Sequence, residues 1–273
     1  MNGYKLAESY DETSESGLFW TDGKKVYFRN YVINGADIAS FLSYSGYWAH
    51  DQKNCYMGDS RLTNADRESF VGLNYAYAKD KNSVWTMGGR IKDADAESFA
   101  VCDDGKQYWF PIISRLNGLN GKEFITYTPC GFGKDKNYVY HYDGAGKANI
   151  CKNAAPDTFV SMNNGYYGFD DCHVFCGRSK LNKADPKSWK IIKDGYYYSK
   201  DKLIYYFNRI IKGADAETFE VAGEDPELFD TPFAYYRKLK TQLARDKNNY
   251  YFTDYITEKD EWNRLCREDG IEQ

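Results

Sequence analysis

The sequence predicts an all-β chain: a tandem array of about eight β-hairpin repeats of ~30 residues with short capped helical turns, open or curved rather than a closed propeller. Three observations carry this. First, an aspartate followed five positions later by an aromatic recurs at Asp22, Asp51, Asp80, Asp104, Asp135, Asp170, Asp201 and Asp246, the aromatic being Tyr27, Tyr56, Trp85, Trp109, Tyr140, Phe175, Tyr206 and Tyr251 in turn. Second, a companion motif reads GADIASF (35–41), NADRESF (64–70), DADAESF (93–99), KADPKSW (183–189) and GADAETF (213–219), with NAAPDTF (153–159) lacking only the aspartate. Third, aromatic residues make up 18% of the chain, with 26 Tyr, which is too much ring surface for a disordered polypeptide.

The aspartates stand 29, 29, 24, 31, 35, 31 and 45 residues apart. Propeller blades usually take four strands and about 40 residues, so this shorter period favours the open array. In YAKDKNSVWT (77–86) the carboxylate of Asp80 can accept the backbone N–H two residues on and so nucleate a turn. Asn tolerates the left-handed backbone that hairpin loops often need, and Lys is expected in the solvated tip. The flanks, YAYAK before and VW after, are aromatic and β-branched, as strands prefer. Asp51, Asp135 and Asp246 open equivalent tips.

The companion motif reads as one capped helical turn. Asp95 is the N-cap, and Ala94 with Phe99 occupies the two positions of a hydrophobic staple. Pro186 directly after Asp185 sits at the first helical position, where proline is favoured. Glu68, Glu97 and Glu217 lie in the first turn, where the helix dipole favours negative charge. The final aromatic, Phe70, Phe99 or Phe219, should point inward as an anchor. GLNGKEF (118–124) and ITEKDEW (256–262) keep only that aromatic.

This divides the chain into a lead-in (1–17), the repeats (18–221), an insertion (222–245), and a last repeat with its C-terminal cap (246–273). The insertion lengthens the step to Asp246 and sets Phe229, Asp230, Phe233, Tyr235, Tyr236 and Arg237 together. Insertions between repeats map to loops on one face, often the binding face, so these six residues are the candidate binding residues. A docking element covering the array's last edge is the alternative.

Candidate chemistry is sparse. DDCHVFC (170–176) offers Cys172, His173 and Cys176, but without the C-x-x-C spacing of a zinc knuckle. The Asp-rich tips lack EF-hand spacing, and lysines flank their carboxylates. No G-x-S-x-G, H-E-x-x-H or P-loop is present, and all three histidines (His50, His141, His173) lie beside or within hairpins. The expectation is a protein that is not an enzyme and holds no metal or cofactor. A net charge of −4 gives no basic footprint for nucleic acid. No apolar stretch is long enough to span a bilayer, the start lacks a secretory signal, and seven scattered Cys read as reduced thiols, so a cytoplasmic location is expected.

The strings DKNSVW (80–85), DKNYVY (135–140) and DKNNYY (246–251), each preceded by Lys or Arg, resemble the bacterial DKNYY repeat family, and the two motifs together extend the resemblance over residues 18–262. Units led by Asp22, Asp104 and Asp170 depart from the Lys-Asn tip. The resemblance implies a binding or scaffold protein and supplies no catalytic residues. The reading it favours is an immunity protein that occludes a cognate bacterial toxin domain through an aromatic, acidic surface. A carbohydrate- or envelope-binding repeat protein with exposed Tyr and Trp platforms is the alternative.

If Phe70 is an anchor, Phe70→Ala should cost roughly 3–5 kcal/mol in chemical denaturation, and Lys81→Ala far less. Similar losses from the two would refute the staple assignment.

Overall fold

Each complete repeat folds as a four-stranded antiparallel meander, one strand pair more than the hairpin that the motif announces. The computed structural model describes residues 3–11, 17–44, 46–103, 130–162, 166–192, 198–222, 243–268 and 271, and the backbone of a two-stranded ribbon at 106–109 and 124–127. In a typical sheet, Val71–Gly72, Tyr77–Lys79, Val84–Thr86 and Gly89–Arg90 follow one another in space as in sequence. Register pairs Lys79 with Val84, Ala78 with Trp85 and Trp85 with Arg90. The segment before the hairpin, Val71–Gly72 here, thus forms a strand of its own, and a second tight turn adds a short outer strand. Open meanders of this kind make the chain all-β, and no described sheet closes into a barrel.

Two compact units result. Residues 1–107 with 125–170 form one, and 108–124 with 171–273 the other. The first holds a three-stranded sheet (Phe19–Thr21, Val26–Phe28, Tyr31–Val32), the sheets spanning 42–61, 71–90 and 100–150, and the pair Val160–Ser161 with Tyr167–Phe169. The second holds the pair Val174–Cys176 with Ser179–Lys180, the sheets spanning 190–210 and 220–257, and the helix Lys259–Glu268.

Two local expectations are corrected. Among the described residues the left-handed positions are not the Asn of the tips. They include Arg29, Gly58, Gly177, Phe207 and Thr253 in the second tight turn, and Gly35, Asn64, Lys183 and Gly213 at the start of the companion motif. The motif opens so often with Gly or Asn because both tolerate that backbone. In the Asp201 repeat the tip is one residue shorter, since Asp201 N–H bonds the Leu203 carbonyl and Lys200 pairs with Ile204. Tyr205, fully buried, therefore fills the aromatic slot, and half-buried Tyr206 does not.

The core is a series of ring sandwiches. Phe99 lies 5.4 Å from Tyr77 and 6.0 Å from Tyr140, so it joins the sheet before it to the sheet after it. Phe41 does the same for Phe19 and Tyr56, and Phe219 for Tyr198 and Tyr251. Phe70 packs with Trp48 and Trp85. Room for each ring comes from a small residue two positions before the tip aspartate: Ala49, Ala78, Gly133, Gly168, Ser199 and Ala244. A Cβ built on Gly133 would stand 2.4 Å from the Phe99 ring, and one on Gly168 equally close to Phe159. Where the anchor is a tryptophan, the small residue is a serine: Trp189 Nε1–H donates to Ser199 Oγ at 3.0 Å inside the core.

The first and last described sheets depart from this pattern. In the first sheet the small slot holds Trp20, stacked 4.3 Å from Tyr27, and Thr21 Oγ1 satisfies the Gly23 N–H. Ala7 pairs in parallel with Trp20, while Tyr4–Lys5 adds a fifth strand beside Leu42–Ser43. At the other end, Trp262 takes the anchor position, with Leu243, Leu265 and Cys266 around it and its ring 5.1 Å from Tyr250.

Ser199→Ala should cost about 1–3 kcal/mol by stranding the buried indole N–H. Adding Trp189→Phe should recover much of that, because it recreates the Phe–Ala pairing of the other joints. A double mutant no more stable than the single one would refute the pairing.

Candidate interaction surface

At the tips led by Asp51, Asp80, Asp135 and Asp246 the aspartate does two jobs, one per oxygen. Asp80 Oδ1 accepts the N–H groups of Asn82 and Ser83, both at 2.7 Å, and so shapes its own turn. Its Oδ2 accepts the Asp66 N–H at 2.5 Å, from the capped turn that enters the sheet. The same second bond links Asp51 to Asp37, Asp135 to Asp95, Asp170 to Ala155, Asp201 to Asp185, and Asp246 to Asp215. Where the aromatic is Tyr56, Tyr140 or Tyr251, its hydroxyl donates to the same carboxylate at 2.6–2.9 Å.

The turn answers in kind. Ser69, Ser98 and Thr218 donate their hydroxyls to Asp66, Asp95 and Asp215, and accept the N–H of Lys81, Lys136 and Lys247 from the tip. The same three lysines pair with the same three aspartates at 2.6–2.8 Å. The lysine before the tip aspartate points onward: Lys79 Nζ donates to the Ala96 and Phe99 carbonyls, and Lys134 Nζ to those of Pro156 and Phe159. In K-D-K-N, one lysine thus holds the turn behind and the other the turn ahead.

This geometry sets the charges. Burial alone would raise Asp51, but the Tyr56 hydroxyl and the N–H groups of Asp37, Lys53 and Asn54 outweigh it and hold the carboxyl below its usual range. Asp246 is held down the same way, against burial, by the Asp215 N–H and the Tyr251 hydroxyl. Asp215 falls to about 2, chiefly through Lys247 and Thr218. The phenols move the other way: burial first and the Asp246 carboxylate second push Tyr251 to about 12.

The residues read as structural therefore sit within the joints. Asp51, Asp80, Asp135 and Asp246 are latching carboxylates, Asp95 and Asp185 are turn aspartates, and Phe70, Trp85, Phe99 and Phe219 are buried rings. Phe229, Asp230, Phe233, Tyr235, Tyr236 and Arg237 lie outside the described residues. The small slot and the forward-reaching lysine were the functional framework that the motif reading passed over. Both were signalled by small and basic residues at fixed offsets before each aspartate.

What faces outward is the fourth strand. In the first unit these strands expose Tyr31 (64%), Arg61, Arg90 and Ile150. In the second they expose Lys180, Arg209, Tyr255 (63%) and Ile256 (59%). Arg209 crosses to Asp254 at 3.0 Å, placing a cation beside Tyr255. On these strands the charges beside the aromatics are mostly cationic, not acidic. Cations on outer strands protect an exposed edge from unwanted pairing, and the last strand lacks that protection at Tyr255 and Ile256. By contrast, the tyrosines in the run GYYYSKDKLIYYF that fill strand slots, Tyr198 and Tyr205, are fully buried.

Among the described residues no three His, Cys, Asp or Glu side chains are grouped to hold a metal ion. No helix of the described residues is long and apolar enough to cross a membrane. Cys55 and Cys102 are raised to about 12, mainly by burial, so neither is a ready nucleophile.

A model of the DKNYY family matches residues 48–207, more than half of the chain. No curated protein and no solved structure matches the chain.

Asp80→Asn would keep the tip but set an amide N–H against the Asp66 N–H, and should cost about 1–3 kcal/mol. Asp22, whose Oδ2 bonds only the rotatable Tyr27 hydroxyl, should tolerate the same change within about 0.5 kcal/mol. Since the Asp51 and Asp246 carboxyls are held below their usual range, their contribution is complete above it and is lost as pH falls through their folded values. Urea midpoints should therefore drop steeply only below pH about 4. Equal losses for the two asparagine variants would refute the latch.

Proposed function

The chain belongs to the DKNYY family, and on that premise we propose that it is a protein-binding repeat protein of the bacterial cytoplasm, acting as an immunity protein that neutralises a toxin by covering its active surface. One observation supports this above the others. Positions that recur from repeat to repeat are consumed in holding the joints, whereas the outer-strand residue paired with the slot aromatic varies between aliphatic and cationic: Val32, Arg61, Arg90, Ile150, Lys180, Ile210 and Ile256. Surface positions that vary on a fixed frame are how a repeat architecture presents a specific interface.

The chemistry on offer suits a protein partner. Exposed Tyr gives large contact area at low entropy cost, and Arg beside it adds directional hydrogen bonds, a combination enriched at binding hot spots. Sugar platforms would call for open Trp faces, but among the described residues Trp48, Trp85, Trp189 and Trp262 are buried and Trp20 is stacked on Tyr27. Occlusion needs no bond-making by this chain. The latched carboxylates would serve only to keep the surface rigid, which lowers the entropic cost of binding.

Co-expression with the toxin-domain protein encoded beside the gene is the test. Growth should be rescued, and the two proteins should co-elute in gel filtration. Tyr255→Asp with Ile256→Asp, or Tyr31→Asp with Arg61→Glu, should weaken the complex at least about tenfold in titration calorimetry without lowering the melting temperature. No rescue together with no complex would end the proposal.

A further inference from the structure

One joint is built differently from its neighbours. The residue before the tip aspartate is Lys79, Lys134 or Lys200 at three joints, where its ammonium reaches the carbonyls of the following turn. In the sheet spanning 42–61 that residue is His50. Its ring is 7% exposed, too short to reach the following turn as lysine does, and its Nδ1 lies 3.3 Å from the Asp51 carbonyl. The turn compensates by reaching back: Arg67 Nε donates to that same carbonyl at 2.9 Å, and the Tyr44 hydroxyl takes the Phe70 carbonyl at 3.1 Å. The bond that ties turn 64–70 to the preceding sheet therefore shares its acceptor with an imidazole.

We propose that this joint is a proton-operated hinge: when His50 gains a proton, the buried imidazolium faces the Arg67 guanidinium across one carbonyl, and turn 64–70 parts from the sheet spanning 42–61. The groups facing His50 set the direction. From its own sheet come the Tyr44 ring at 5.7 Å, Cys55 in register opposite, and the Asp51 carboxylate; from the turn comes Arg67. Burial first, with Arg67 adding to it, lowers the affinity of His50 for a proton against the opposing pull of Asp51. Tyr44 is raised and Cys55 pushed up to about 12, so both stay neutral from pH 8 to 5, while Asp51 stays charged.

The sign follows by linkage. A histidine whose folded value is depressed below 6.5 contributes stability that is complete above 6.5 and is lost as pH falls from there to the folded value. Turn 93–99 is held by Lys79 where turn 64–70 faces His50, so the two joints can be compared directly. A local opening confined to one joint would alter which outer strands are held in line, in a pH range that cells and compartments reach.

Hydrogen exchange followed by mass spectrometry at pH 7.5 and 5.0, corrected for intrinsic rates, tests this on the full chain. Protection of residues 64–72 should fall by about tenfold relative to the equivalent segment 93–101, whose joint carries Lys79. His50→Lys should abolish the difference, and the uncharged His50→Gln should do so even if the lysine variant folds poorly. An imidazole NMR titration should place His50 below 6.5. An equal pH response in the two segments, a response that persists in both variants, or a His50 titration above 6.5 would overturn the proposal.

Discussion

The architecture depends on a carboxylate that accepts hydrogen bonds from two segments at once. In the Asp80 latch Oδ1 closes its own turn and Oδ2 holds the backbone N–H of the turn that enters the sheet, as Oδ2 of Asp51, Asp135, Asp170, Asp201 and Asp246 also does. Two segments that are separately too short to be stable are thereby joined at a point where neither can move without stranding a charged acceptor. An ionised oxygen bonded to N–H donors makes a stronger contact than a neutral one, and a buried one left unsatisfied is expensive. Asp51 and Asp80 are buried and fully engaged, whereas Asp22, which has no turn before it to hold, is exposed.

The latch works because the rings fix where it closes. A sheet with strands two or three residues long buries little by itself and needs its neighbours. Each anchor ring supplies that burial by packing on an aromatic from either side, and the small residue beneath it sets the approach. Hydrophobic packing of this kind is not directional, whereas the carboxylate is. Together they define one spacing and one register per joint, so the array repeats without drifting. The exposed ion pairs of Lys81, Lys136, Lys247 and Arg209 add little to this, since solvent-exposed pairs contribute about 0–1 kcal/mol.

Much of this was legible in the sequence because the repeat writes each joint several times. One DKN string could be any turn. Its recurrence with an aromatic at a fixed offset, and with an A-D-x-x-S/T-F turn between, leaves little besides a hairpin array. What escaped was whatever depends on two repeats meeting. The outer strand was missed because Ser60–Arg61 and Gly89–Arg90 have no strand-like pattern; they pair because the second tight turn returns the chain beside Tyr56 and Trp85. Tyr206 was misplaced because a one-residue deletion in the tip shifts every later side chain, and only pairing reveals it. The candidate binding residues of the insertion lie outside the described residues, and the surface read instead from the outer strands is one that sequence periodicity cannot single out.

In the first and last described sheets the groups that other joints use are engaged differently. An open repeat would present its latch to any turn of matching sequence, including one from another copy of the chain. At the first sheet Trp20 fills the slot an anchor would need, and Thr21 has already taken the tip N–H. At the last sheet Trp262 brings its own helix, and Glu258 and Glu261 stand where other turns have aspartate and a hydroxyl. In both places the groups that other joints use are thus occupied by residues of the same segment. The outer strands are then the part of each unit left free to differ, which is where recognition can be tuned without loosening a joint.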